Sequence, residues 1–197
     1  MTAGNGIDYG RLTATRAPTA ATWDAFVREV LEPEWLAAYR AATPWTAEVL
    51  EIPQGELVFL FDAAPTLKRA PESGDDRVVA VWGRSHAPTE PRDRARLAGF
   101  LPNPLSWSRA ELDRGHLVAH TAGGGLDLNL FPQVSALNRG RSREGRLWRR
   151  MEDQAARNPG TPLFVRPVYC DSTWRPFAVE LALLDGKRLW CECFSNQ

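Results

Sequence analysis

The chain has 197 residues, of which 44% are hydrophobic, and its 24 basic and 24 acidic side chains leave a formal net charge of zero. That is enough apolar material for one well-buried core, and length alone does not ask for a second. No apolar run is long enough to cross a bilayer as a helix. Met1 to Ala21 lacks a basic segment followed by an apolar core, so no secretory signal peptide is expected there. The expectation is synthesis in the cytoplasm, with a specialised route needed for any action outside it. The zero balance argues mildly against a polyanion partner. The local distribution argues the other way, since Arg139, Arg141, Arg143, Arg146, Arg149 and Arg150 fall close together. A coding bias would look similar, because only Lys68 and Lys187 break the preference for arginine.

Met1 to Ala21 is rich in Gly, Thr, Ala and Pro and reads as a flexible lead. Thr22 is a good N-cap. Trp23, Phe26, Val27, Val30 and Leu31 then recur at helical spacing. Pro33 is expected to interrupt that helix, and Trp35, Leu36 and Tyr39 suggest a second. These aromatics read as core. Thr46 to Ile52 and Glu56 to Phe61 are expected strands around a Pro53-Gln54-Gly55 turn. Arg77 to Trp82 is another. Ser85 to Ser108, rich in Pro and Arg, reads as a long loop.

Leu112 to His120 is expected as a strand, Gly123-Gly124-Gly125 as a turn, and Leu128 to Gln133 as the returning strand. A helix between Leu137 and Arg157 follows, with Leu147, Trp148, Met151 and Ala155 on one face, and Asn158-Pro159-Gly160 ends it. The glycine run is not a phosphate loop, since no GK[ST] follows it. Leu163 to Cys170, Trp174 to Leu184 and Arg188 to Phe194 complete the strands, with Asp185-Gly186 as a hairpin turn. Phe177, Val179, Leu181 and Leu183 alternate onto one face. Cys170, Cys191 and Cys193 lack a zinc-type spacing. They read as small apolar residues, with a bridge from Cys170 open only in an oxidising compartment.

Chemistry-bearing residues concentrate in Asp113-Arg114-Gly115-His116, then Asn129-Leu130-Phe131-Pro132-Gln133, Asn138 and Glu152. His116 can take a proton near neutral pH. Asn138 offers a neutral amide oxygen suited to a hard cation. Arg114 can hold phosphate charge with its planar fork. In an extended segment Arg114 and His116 point to the same side. Each has a bland alternative. His116 could be structural, Asn138 a helix cap, Glu152 a surface partner of Arg149 or Arg150, and Arg114 an ion-pair partner of Asp113 or Glu111.

The run DRGH, the downstream N-L-F-P-Q, the asparagine near the helix and Trp148 one turn before Glu152 together resemble the non-specific DNA/RNA endonucleases of the ββα-metal (His-Me finger) superfamily. The resemblance spans roughly Val78 to Phe194. It implies that His116 is the general base, Arg114 the phosphate clamp, Asn138 the metal ligand and Glu152 an orienter of metal-bound water. Asp113, Asn129 and Gln133 would support the site by hydrogen bonding. Arg84 would be accessory, as the nearest counterpart of a distant arginine on an earlier strand. His120, two pleats beyond His116 and on the same side of a regular strand, could be an accessory metal ligand, a phosphate contact or a hydrogen-bonded structural histidine, and the last is the preferred reading. The extra residues between Asn138 and Glu152, about Arg139 to Arg146, depart from the compact form of the motif.

The expected fold is α+β: a central antiparallel sheet, a ββα-metal finger at about 111–157 and flanking N-terminal helices. Residues 1–21 would be flexible and 22–197 a single nuclease domain. The implied activity is Mg²⁺-dependent hydrolysis of DNA or RNA, with Mn²⁺ as an alternative metal. The implied setting is either an exported antagonistic toxin module with a cognate inhibitor protein or a stand-alone cytoplasmic nuclease for defence or nucleic-acid turnover, with no membrane partner. The competing expectation is a non-catalytic module that grips nucleic acid or protein on the same scaffold.

Overall fold

The computed structural model of the protein describes residues 7–43, 47–67, 75–89, 91 and 112–197. Its strands are β1 (Val49–Gln54), β2 (Leu57–Asp62), β3 (Arg77–Arg84), β4 (Leu112–His116), β5 (Leu130–Val134), β6 (Pro162–Val168), β7 (Ala178–Asp185) and β8 (Arg188–Ser195). Six of them form one antiparallel sheet in the order β1-β2-β3-β6-β7-β8, while β4 and β5 pair as a separate ribbon. The fold is α+β, as the order of elements implied. The central strands β3, β6 and β7 are buried along almost their whole length. Both faces of the sheet are covered, which is why these strands read as apolar runs rather than strict alternation.

One face is covered by helices α1 (Tyr9–Thr15), α2 (Trp23–Phe26) and α3 (Glu32–Ala42). Leu12, Trp23, Phe26, Leu31 and Trp35 pack there against Leu60, Ala80, Trp82 and Phe164. Trp23 and Trp35 are fully buried, and truncating either indole to alanine would cost about 3–5 kcal/mol. The N-terminal aromatics are therefore core, as their spacing suggested.

A short helix, α4 (Ala64–Leu67), follows β2. The other face receives β4, β5, α5 (Ser135–Asn138) and α6 (Arg143–Arg157). Here Phe59, Val81, Val165, Val179 and Leu181 meet Leu117, Phe131, Trp148 and Met151. This ββα unit is an excursion of the chain between β3 and β6, which are themselves neighbours in the sheet. Ser85 closes its neck. The Ser85 backbone exchanges hydrogen bonds with Thr161 and Gly160 at 2.9 and 2.6 Å, and its hydroxyl donates to the Asn158 carbonyl at 3.2 Å.

Several local expectations change in the folded chain. Within the expected lead, Tyr9–Thr15 is helical, because Asp8 caps it through Arg11 N and Leu12 is buried. Tyr9 Oη also donates to Glu180 of β7 at 3.0 Å. Thr22 does not cap α2 with its side chain; its Oγ1 accepts from Thr19 N instead. Pro33 does not break the helix. A π turn over Val27–Leu31 runs directly into α3, and Pro33 sits just after it, at the start of α3, where the altered hydrogen-bond register of the π turn accommodates a residue that has no N–H. The Pro53-Gln54-Gly55 turn begins later than expected, since Pro53 and Gln54 still pair with Val58 and Leu57. The last hairpin turns at Gly186 and Lys187, with Asp185 opposite Arg188 and Gly186 at φ +60°. Phe177 lies just before β7, so it is not part of the alternating face. Cys191 and Cys193 lie on β8, Cys170 lies beyond the end of β6, and all three are free thiols. Most of the expected loop from Ser85 to Ser108 lies outside the described residues.

Candidate active site

The strand β4 stops at His116, four residues earlier than expected, because its partner β5 begins at Leu130 opposite it. The pairing runs without a shift from Leu112 opposite Val134 to His116 opposite Leu130. That regularity keeps Arg114 and His116 on one face of the ribbon and Asp113 and Gly115 on the other. His116 is 8% exposed. Beyond it the chain bends, and His120 opens a short 3₁₀ turn, His120–Ala122. His120 therefore does not continue the His116 face, since the pleat that would have aligned them has ended.

Asn129 fixes the direction in which His116 is presented. It is fully buried. Its Oδ1 accepts from Val118 N, and its Nδ2 donates to the Val118 and Gly125 carbonyls, each at 2.8 Å. Its backbone carbonyl accepts from Leu117 N at 2.8 Å. The loop after His116 is thus clamped by a single amide side chain whose hydrogen-bonding capacity is largely used. His86 secures the same loop from outside, donating its backbone N–H to the Ala122 carbonyl at 3.1 Å.

Gln133 acts differently from the hydrogen-bonding support expected of it. It is fully buried, and among the described residues neither polar atom of its amide has a hydrogen-bond partner. It packs instead against the bare Cα of Gly115. A Cβ at Gly115 would stand 2.3 Å from Gln133 Oε1 and 2.5 Å from its Cβ. The glycine of DRGH is therefore a space requirement set by the opposite strand.

Asp113, on the second face, binds the helical part of the unit. Asn138 Nδ2 donates to Asp113 Oδ2 at 3.0 Å. Arg139 closes a two-point fork on the same carboxylate, with Nε at 2.7 Å and an Nη at 2.5 Å. Burial by itself would raise the Asp113 carboxyl, but the hydrogen bonds from Arg139 and Asn138 outweigh it and hold it below the usual carboxylate range. The contact also assigns the Asn138 amide. A carboxylate accepts and cannot donate, so the nitrogen faces Asp113 and Oδ1 is not engaged by that contact.

The expected continuous helix is two helices. Asn138 ends α5, so it does not cap the helix that carries Glu152. Ser142 caps α6, its Oγ accepting from Gly145 N at 2.8 Å. The two helices meet closely at Gly145, where a Cβ would stand 2.5 Å from the Ala136 carbonyl oxygen and 2.8 Å from that of Leu137. The residues added relative to the compact motif thus form the turn between α5 and α6. Trp148 anchors α6 in the core, edge-on to Phe194 with ring centroids 5.1 Å apart.

One turn beyond Trp148, the Glu152 side chain is only 13% exposed, 3.5 Å from an Nη of Arg149. Burial pushes its carboxyl up to about 7, and Arg149 and the Trp148 indole pull only partly against it. The indole N–H works in that direction without reaching full hydrogen-bond geometry. Arg84 is engaged elsewhere, on Asp24 at 2.8 Å and on the Ala20 carbonyl at 3.0 Å, where it staples the start of the N-terminal helices to β3.

Asn196 was not legible as part of this unit. It is fully buried. Its Oδ1 accepts from Val134 N, and its Nδ2 donates to the Pro132 and Pro176 carbonyls at 2.8 to 2.9 Å. It fastens β5 to the sheet from the far end of the chain, and only a long-range contact could reveal that.

Among the described residues, no three or more His, Cys, Asp or Glu side chains are grouped so as to hold a metal. A caged zinc site of nitrogen and sulfur ligands does not fit them. A hydrated hard cation on one amide oxygen does, because Mg²⁺ retains most of its waters. The Asn138 Oδ1 acceptor and the buried, insufficiently compensated Glu152 carboxyl are the donors of that kind.

No family model matches the chain, and no curated protein matches it. Among solved structures, the chain is similar to a Sda1 nuclease with bound zinc ion, at 16% identity and a TM-score of 0.40, over 77% of this chain and 84% of that chain. The likeness is coarse.

Proposed function

We propose that the chain is a metal-dependent endonuclease that hydrolyses phosphodiester bonds in DNA or RNA with little base selectivity. The observation that carries this reading is the Asn138–Asp113 hydrogen bond. It ties Asn138, the candidate metal ligand, to β4, the strand whose other face carries Arg114 and His116. His116 takes a proton from water at a ring nitrogen, on a strand end held by Asn129. Arg114, on the same face, holds the charge of the scissile phosphate with its guanidinium. Asn138 would hold a hydrated cation through Oδ1, and Glu152 would accept hydrogen bonds from its waters. A hydrated Mg²⁺ there would supply Lewis-acid stabilisation of the charge that builds on the phosphate. Contacts of this kind address phosphate rather than base, which is the physical ground for weak selectivity. An exported antagonistic role with a cognate inhibitor is the setting that the family resemblance suggests.

The test is nicking of supercoiled plasmid with Mg²⁺ or EDTA, by the wild type, His116→Ala and Asn138→Ala. Metal-dependent nicking that both substitutions abolish supports the reading. Absence of nicking with Mg²⁺ and Mn²⁺ across pH 6–9 overturns it in favour of a non-catalytic binder.

A further inference from the structure

A basic groove of about 420 Å³ runs along the outer face of α6. Five of its eight lining residues are arginines, Arg139, Arg146, Arg149, Arg150 and Arg157, against a single acid, Asp153. This is a one-sided surface on a chain whose net charge is zero. The helical members fall at 146, 149, 150, 153, 154 and 157, the recurrence of one helix face. The opposite face carries Trp148, Met151 and Ala155 into the core. Four of the five arginines of α6, Arg146, Arg149, Arg150 and Arg157, line this groove, and Arg143 does not.

Folding does not account for the arrangement. Arg146 lies one turn from both Arg149 and Arg150, and like charges at that spacing destabilise a helix. The compensation is slight. Arg157 meets Asp153 at 3.5 Å with both side chains well exposed, a pairing of little worth in water. Arg149 meets Glu152 at 3.5 Å, and Arg150 stands over the Trp190 ring at 5.7 Å. Arg146 makes no ion pair among the described residues. A ligand that supplies negative charge along a line would supply what the fold omits.

The groove also leads somewhere. At one end is Arg139, whose guanidinium holds Asp113, which in turn holds Asn138. From Arg146 to Arg157 the helix rises about 16 Å, over which a nucleic-acid backbone presents a charge every few ångströms. We infer that the arginine groove along α6 binds the sugar–phosphate backbone flanking the scissile bond and guides it to the site at Asn138. The inference rests on the nuclease reading for the word scissile, but the binding surface is testable without cleavage. The guanidinium forks meet phosphate oxygens and carry no sequence preference.

The experiment measures binding of a short fluorescent DNA duplex by anisotropy in EDTA, over a series of salt concentrations. It compares the wild type with the triple variant Arg146→Gln, Arg150→Gln, Arg157→Gln. These side chains are exposed and touch neither Asp113 nor Glu152. Removing them relieves like-charge repulsion and loses only the exposed Asp153 pair and the Trp190 contact, so the variant should stay folded with a thermal transition within a few degrees of the wild type. Each phosphate contact contributes about 0.9 to the slope of log K against log salt. The triple variant should therefore bind weakly, with a slope shallower by about 2–3. Bis(p-nitrophenyl) phosphate, too small to reach the groove, should be hydrolysed at the wild-type rate. An unchanged affinity and slope in the triple variant overturns the inference, as does absence of duplex binding by the wild type at about 50 mM salt. Binding of polyglutamate that the three substitutions weaken, with duplex binding unaffected, overturns it in favour of an acidic protein partner. Failure of the nuclease reading is distinguishable, since it shows as absent plasmid nicking while the binding difference persists.

Discussion

Replacing Glu152 by glutamine should remove the pH dependence of stability that this one carboxyl imposes. Its folded-state value stands at about 7 against an ordinary 4.5, with burial as the main cause. Each unit is worth about 1.4 kcal/mol, so ionising Glu152 in the folded protein costs about 3 kcal/mol relative to ionising it in the unfolded chain. Between those two values the folded state binds more protons than the unfolded state. Stability contributed by this group is therefore full below pH 4.5 and lost as pH rises to about 7. Glutamine keeps the shape and cannot ionise. In EDTA, the two proteins should melt together near pH 4 and diverge above it. By pH 8 the variant should lead by about 6–12 °C, at 2–4 °C per kcal/mol for a chain of this size. Scanning calorimetry of both proteins from pH 4 to 8 gives the difference directly, with all other carboxyls cancelling. Adding Mg²⁺ at pH 8 should raise the wild type more than the variant, because the cation supplies the missing positive charge. Parallel melting curves across the whole range would refute the claim that the Glu152 charge is held at a cost.

Asn129→Ala removes three buried hydrogen bonds and should cost about 2–4 kcal/mol in urea unfolding, with nicking reduced more than the remaining folded fraction explains. Gly115→Ala forces a Cβ onto Gln133 and should cost about 1–3 kcal/mol. Adding Gln133→Ala should recover part of that loss, and a strictly additive double variant would exclude the contact as the cause. Arg84→Ala breaks a partly exposed pair with Asp24 and should cost about 1 kcal/mol or less. Plasmid nicking should change by less than threefold, and a loss above a hundredfold would place Arg84 in the catalytic machinery after all.

The sequence by itself determined the α+β class, the core aromatics and the ββα order. These follow from periodicity, turn residues and a motif whose spacing is short. It could single out Arg114 and His116 as neighbours on one face because two-residue alternation is a local property of any strand. Tertiary structure decided the rest. Whether β4 reached His120 depended on where β5 begins opposite it. Whether Pro33 broke a helix depended on a π turn whose Val27 and Leu31 are buried against the sheet. The role of Asn138 depended on Asp113, 25 residues earlier, and that of Gln133 on the space above Gly115. The charge cost at Glu152 is a burial effect that no local pattern encodes. Arg84 was compatible with several partners until the N-terminal helices supplied Asp24 and Ala20. Contacts between residues distant in the chain have no local signature, since they depend on the whole course of the backbone between them.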